Sequence, residues 1–212
     1  EFRRVLFRSE QIADFGARFP AARACTRGRS FVDAATGARL LIPFVLPPLQ
    51  PGEAPPDYAA RMPEHLGRIC LLLLQAGASA MGYWDGAELV RHKAEKRYVV
   101  RGNGKAQPTH RKTRGKSRYG SRLRLLNWKR LLAGANRRLG LWWSELGEPE
   151  QFFVSVPIRS MSDLFAADPA PPIARDDARV RRVPVHAHIP DFRELQRVHR
   201  LLLRGRLELP KS

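Results

Sequence analysis

Residues 91–130 read RHKAEKRYVVRGNGKAQPTHRKTRGKSRYGSRLRLLNWKR. The stretch opens as a strand, passes through a glycine-bearing loop that closes on Gln107, crosses a basic tract and enters a long helix. It holds 15 Lys and Arg against one acid, Glu95, so +14 of the chain's formal +18 sits in under a fifth of its 212 residues. A segment this polar forms no core of its own, and so dense a positive charge calls for a polyanion as partner. Charge runs also occur as plain solvated surface. Composition favours nucleic acid over that reading without separating RNA from DNA.

Downstream of the loop, Leu125, Trp128, Leu132, Ala135, Leu139, Trp142 and Leu146 recur at alternating spacings of three and four. That spacing predicts one apolar helix face, with Arg122, Arg130, Arg137 and Arg138 away from its centre. Ser121 stands where an N-cap could stand, without the Glu three residues on that completes a capping box, and Gly147-Glu148-Pro149 stops the helix. The Trp142-Trp143 pair reads either as core or as a base-stacking platform, with core favoured for Trp142. Upstream, ICLLLLQ from Ile69 is an apolar run of strand length, as expected for a strand buried on both faces. AMGYWDG returns after a turn at Gly77 to Ser79, and Asp85-Gly86 leads into AELVRHK, giving a three-stranded antiparallel meander. RYVVR is a fourth strand or an extended lead into the loop. The loop, Gly102 to Lys116, has no hydrophobic periodicity and is expected to be mobile in the free protein and to order only against its nucleic-acid partner.

After the long helix, QFFVSVPI (Gln151 to Ile158) predicts an inner strand, SMSDLF a short helical turn, and AADPAPPIARDDA a linker. RVRRVPV reads as the last strand, and DFRELQRVHRLLLR as a closing helix ended by Gly205. In that helix Asp191 and Glu194 fit an acidic capping box, and Leu195, Val198 and Leu202 make the buried face. The fold class is therefore α/β, with a mixed, largely antiparallel sheet, one long helix and a C-terminal helix.

The N-terminal quarter is less legible. Residues 1–9, EFRRVLFRS, read as a translated sequencing-library adapter and stay outside fold reasoning; the natural N-terminus is then expected to be missing. With three Arg and one Glu there, the native net charge is nearer +16 (18 − 2). Residues 10–65 read as an N-terminal extension. Residues 10–30 carry no firm pattern. FVDAATGARLLIPFVLPP predicts two short strands about Thr36-Gly37, and LPPLQPGEAPPDY, with five prolines, predicts a connector that is neither helix nor inner strand. A short helix near Tyr58 to Leu66 follows, broken or started at Pro63. Residues 66–206 form the main domain and 207–212 a tail.

Other chemistry is sparse. Cys70 lies in an apolar run and reads as a buried residue, and two cysteines without CxxC spacing argue against a zinc or disulfide framework. No run is long enough to cross a bilayer, which predicts a soluble, cytoplasmic protein. His186 and His188, alternating in a strand, share a face but lack a third ligand, so no metal is expected. Asp176 and Asp177 could hold a magnesium ion but sit in a proline-rich linker as surface acids do. No Walker loop or Rossmann fingerprint is present, and no cofactor is expected.

The middle block carries a resemblance. His92-Lys93, RYVVR, a glycine-containing loop closing on Gln, a basic tract and GSRLRLLNW together resemble the Vms-type release-factor domain family of ribosome quality control, in a bacterial-style, single-domain form. VRRVPVHAHIPDFRELQRVHRLL resembles that family's closing strand and helix. The likeness spans roughly residues 66–204 and is most specific in the middle. It implies a fold like the middle domain of the eukaryotic peptide release factor, itself ribonuclease H-like. It also implies the ribosomal large subunit and peptidyl-tRNA as partners, with no membrane.

On that resemblance Gly104, Lys105, Ala106 and Gln107 occupy the family's glycine-glycine-small-glutamine positions. The release reaction brings water onto the ester joining peptide to tRNA. A neutral Gln amide is no general base, but it accepts and donates at once and so orients a water, while a nearby backbone N–H stabilises the oxyanion. Gln107, Gly104 and Ala106 are thus the expected catalytic set. Arg101, Lys105, Arg111, Lys112, Arg114, Lys116, Arg118 and Arg122 are the expected RNA contacts. Two departures stand out: Lys105 replaces the second glycine, and Pro108 after Gln107 removes an N–H and biases the Gln backbone toward extended angles. The readings left open are peptidyl-tRNA hydrolysis, tRNA 3′-end endonuclease activity, and non-catalytic binding of rRNA or tRNA.

Overall fold

A computed structural model describes residues 9–97 and 116–209, with the backbone alone at 9, 28 and 116–121. Fifteen elements are described, and they fall into two compact units, residues 1–66 with 197–212, and residues 67–196.

The larger unit is built on β4 (Arg68–Gln75), the predicted apolar run, in which Ile69 to Leu74 all have 0% exposure. β5 (Ala78–Asp85) and β6 (Glu88–Lys96) continue from it as the expected antiparallel meander. β7 (Gln151–Ser155) pairs parallel to β4 on its other side, and β8 (Val180–Arg182) parallel to β7. The order β6-β5-β4-β7-β8 is a mixed sheet with its most apolar strand in the middle, as the α/β, ribonuclease H-like expectation requires. β7 is shorter than predicted: Pro157 cannot donate to a ladder, and Ile158 opens helix α4 (Ile158–Phe165) instead.

The long helix α3 (Lys116–Leu146) covers one face of this sheet. Because side chains alternate along strands, Cys70, Leu72 and Leu74 of β4, Met81 and Tyr83 of β5, and Phe152 and Val154 of β7 form one core with Leu131, Leu132, Ala135, Leu139, Trp142 and Trp143 of α3. Trp143 meets Phe152 edge-on at 5.6 Å between ring centroids. The helix ends at Gly147, whose φ of +90° suits glycine and whose N–H donates to Trp143 O at 3.0 Å. The Tyr83 hydroxyl donates to Gly147 O at 2.8 Å, tying that end to β5.

Two expectations about α3 are corrected. Ser121 is not its N-cap, since helical backbone already runs from Lys116. Leu125, predicted on the buried face, is 57% exposed. Leu131 and Trp128 still reach the core on the sheet face, but one turn earlier Leu125 is not among the described residues packed on it.

The opposite sheet face receives Leu195. An added Cβ at Gly82 would come 2.3 Å from the Trp84 ring and 3.1 Å from Leu195, so only glycine fits there. The start of helix α5 (Phe192–Leu202) is capped as predicted on one side: Asp191 accepts the Glu194 N–H at 2.8 Å. The reciprocal half differs, since Glu194 accepts from the His188 N–H at 2.7 Å. The helix stops at Leu202, short of Gly205.

The smaller unit holds a four-stranded antiparallel sheet in the order β1-β2-β3-β9, of β1 (Arg23–Cys25), β2 (Ser30–Val32), β3 (Arg39–Leu41) and β9 (Arg206–Glu208). β2 and β3 are the two predicted strands about the Thr36-Gly37 turn. β9 pairs Leu207 with Leu40, so residues 207 and 208 are strand rather than tail; three residues are too few to display a periodic pattern. Two helices were not anticipated where they stand. α1 (Ser9–Arg18) lies in the stretch without firm pattern, and α2 (Pro55–Ala60) begins inside the proline connector and ends before Pro63. Pro55 and Pro56 open α2 because its first-turn N–H groups have no helical partner to lose. Arg29 cross-links the unit by donating to Pro43 O at 2.8 Å and Leu46 O at 2.9 Å.

Leu139→Ala should therefore cost about 2–5 kcal/mol, while Leu125→Ala should stay within about 0.5 kcal/mol, both measured by urea unfolding. A second expectation concerns acid. His199 of α5 is 5% exposed, and burial pushes its imidazole down to about 4. Unfolding raises that group to its ordinary value near 6.5, so the unfolded chain binds the extra proton. Stability should be full above about pH 6.5 and fall toward pH 4 by up to about 3 kcal/mol. His199→Leu should flatten that limb in a pH series of unfolding curves.

Candidate nucleic-acid interface

The loop expected to carry chemistry leaves β6 and returns at α3. Its root is well tied: the Arg97 N–H donates to Gly77 O at 2.8 Å, and the Arg97 side chain pairs with Glu95 at 2.5 Å. Gly104, Lys105, Ala106 and Gln107, with Arg101, Arg111, Lys112 and Arg114, lie outside the described residues, as does the RYVVR segment beyond Arg97, expected as a strand or an extended lead. Lys116 and Arg118 lie in the first turns of α3, and Arg122 is exposed on it. The structure thus brings Arg122, Lys116 and Arg118 onto one helix, and leaves the Gln107 set to be judged from its frame.

That frame has a definite end. β4, β6, β7 and β8 run the same way, so their C-terminal ends share one edge of the sheet, the edge from which the loop departs. Beside it, the Gln75 amide at the end of β4 donates to Ala187 O at 2.7 Å and His188 O at 2.9 Å. Together with the Glu194 contact to His188 N–H, this ties residues 187–188 to Gln75, two positions before the Gly77 carbonyl that holds the loop root. Sequence reasoning missed Gln75, whose only signal is a polar residue closing an apolar strand.

The remaining candidates resolve as follows. His186 and His188 are not in a strand, since β8 ends at Arg182, ahead of Pro184. Their rings meet edge-on at 5.4 Å, and no group of three metal-ligating side chains exists among the described residues. Asp177 pairs with Arg179, whose guanidinium holds its carboxyl below the usual range, so this acid serves the linker. Trp142 and Trp143 are both buried, which removes them as a stacking platform. Burial pushes the Cys70 thiol up to about 12, so it is no nucleophile. Among the described residues no helix is long and apolar enough to cross a membrane.

Basic charge dominates what α3 presents. From Arg122 to Leu146 it carries six Arg or Lys and a single acid, Glu145, which pairs with Arg91 of β6 at 3.7 Å. The arrangement suits a polyanion lying along the helix and reaching the loop. Gln75→Ala should remove both ties to residues 187–188 and cost about 1–3 kcal/mol in thermal or urea unfolding. Hydrogen exchange should then quicken at His188 while the α3 core stays protected.

Comparison with known proteins agrees with this geometry. A mouse protein described as tRNA endonuclease ANKZF1 is 34% identical over 163 residues, covering 72% of this chain and 22% of that protein. The human protein of the same description is 32% identical over 168 residues with the same coverage. The chain thus spans about a fifth of the length of these relatives. A solved structure described as the Vms1 mitochondrial localization core matches 98% of this chain and 86% of its own, with a TM-score of 0.53 at 12% identity, a likeness of fold. The family model described as Bacteroidetes VLRF1 release factor matches residues 69–208, a range that takes in the sheet of the larger unit from Ile69 on, α3, and the Gln107 loop, and the chain belongs to that family.

Proposed function

We propose that this protein frees nascent chains from peptidyl-tRNA on stalled ribosomes, with Gln107 positioning the attacking water. The observation that carries the reading is the placement of the Gly104–Gln107 sequence between β6 and α3 within the matched family range. Water oxygen attacks the ester carbonyl, the bond from that carbon to the ribose oxygen breaks, and the proton leaves with the ribose hydroxyl. Gln107 holds the water through its amide, and a backbone N–H of the loop meets the oxyanion. The glycines allow close approach to RNA, and Lys105 with Arg111, Lys112 and Arg114 grips phosphates. The large ribosomal subunit supplies the rest of the site.

A second reading has its own support. The curated relatives are described as tRNA endonucleases, and Lys105 and Pro108 depart from the family loop in ways that alter its backbone. In that reading the same loop directs cleavage of a phosphodiester near the tRNA 3′ end.

Ribosomes carrying labelled peptidyl-tRNA separate the two. Wild type should free the peptide and leave tRNA full length, and Gln107→Ala should bind equally while losing at least about tenfold in rate, the scale of a lost positioning or oxyanion contact. A shortened tRNA would transfer the assignment to the endonuclease reading. Equal binding with no product from either protein would leave RNA binding alone.

A further inference from the structure

The outward face of α3 carries basic charge beyond the tract of the Gln107 loop. Taking about 100° per residue, Arg122, Lys129, Arg130 and Arg137 fall within an arc of about 100°, opposite Leu132, Leu139 and Trp142 of the core. All four are exposed, and among the described residues none of them makes an ion pair. They span about 22 Å of helix at about 1.5 Å per residue. On the flank toward the sheet, Arg91 lies near Glu145 and Glu95 near Gly134, so β6 runs antiparallel to α3 and Lys93 lies alongside the stretch that holds Arg138. An acid on this face would neutralise the row, and the helix has none before Glu145.

From this row we propose that the outward face of α3 is a second RNA-contacting surface, seated on the phosphate backbone of a base-paired RNA. The inference deepens the ribosomal reading above and rests on its RNA partner, but it needs no chemistry from Gln107. Charge complementarity commits the surface to a polyanion. The choice of duplex follows from what the face lacks: single strands are held by aromatic stacking platforms, whereas Trp142 and Trp143 are buried and the Trp128 indole donates to Asp163 of α4 at 3.2 Å. Between Arg122 and Arg137 the outward arc offers guanidinium and ammonium groups with the aliphatic side chains of Leu126 and Ala133, and no aromatic ring, a set that grips backbone shape rather than bases.

The test uses the full chain and a 20-base-pair RNA duplex of arbitrary sequence, with binding measured across a salt series. The triple variant K129Q/R130Q/R137Q should bind the duplex about tenfold more weakly near 0.1 M salt, with the log–log salt slope reduced by about two to three. The conservative variant R130K/R137K should keep wild-type affinity; a matching loss there would assign the effect to folding and overturn the proposal. Unchanged affinity and slope in the triple variant would overturn it too, as would a loss confined to polyglutamate, which would mark the face for an acidic protein. The two readings fail separately, because duplex binding is independent of the peptide-release assay that tests Gln107.

Discussion

Six consecutive side chains of β4, Ile69 to Leu74, have no exposure to solvent, and the larger unit is arranged to make that possible. A strand apolar on both faces needs pairing strands on both edges and a cover on each side. β5 and β7 supply the edges, one antiparallel and one parallel. On one face α3 supplies the cover through Leu131, Leu132, Ala135, Leu139 and both tryptophans. On the other, Gly82 leaves room for Trp84 and Leu195 to close in where any β-carbon would collide. Replacing this strand by one of alternating polarity would leave one of its two covers without an apolar partner surface.

The same helix resolves a conflict between charge and folding. A net charge of +18 strains a small protein by self-repulsion. α3 keeps that repulsion away from the core by segregation: its apolar side faces the sheet, and its Arg and Lys face water or run past the sheet edge. Exposure of Leu125 and Leu126 belongs to this compromise, because the turn that carries Arg122 and Arg124 also carries these two leucines outside the core. The ties at the loop root run from Arg97 to Gly77 and from Gln75 to residues 187–188. They give a charged loop a fixed base, the arrangement by which rigid scaffolds position functional loops.

Much of this was legible in residue order. The six-residue apolar run, the Asp85-Gly86 turn and the three-four spacing from Leu132 to Leu146 are local patterns whose period is set by backbone geometry, and each became the element it predicts. Pro55 and Pro56 misled, because a residue excluded from helix interiors is welcome in a first turn, and composition does not tell the two apart. β9 was illegible for another reason: three residues become a strand only when β3 offers them a ladder. Of the candidate site, the basic tract and the Gly104–Gln107 signature were visible as sequence, whereas Gln75 and the second role of Glu194 were not, since each bonds to a backbone group that no spacing rule connects to it.

Residue order by itself determined which segments are apolar, with what period, and that positive charge concentrates between Arg91 and Arg130, because these are properties of neighbours along the chain. It also determined the glutamine loop and its two departures, Lys105 and Pro108. Only the tertiary structure decided which apolar residues are covered, turning Leu125 outward and Trp143 inward. Only it decided that β4 and β7 pair in parallel, so that their ends gather beside the loop root, and that Arg122, Lys129, Arg130 and Arg137 form one exposed row. The physical reason is the same in each case. Burial and pairing depend on which distant surface arrives opposite a residue, and that is settled by closing β4 between its neighbours rather than by any local preference.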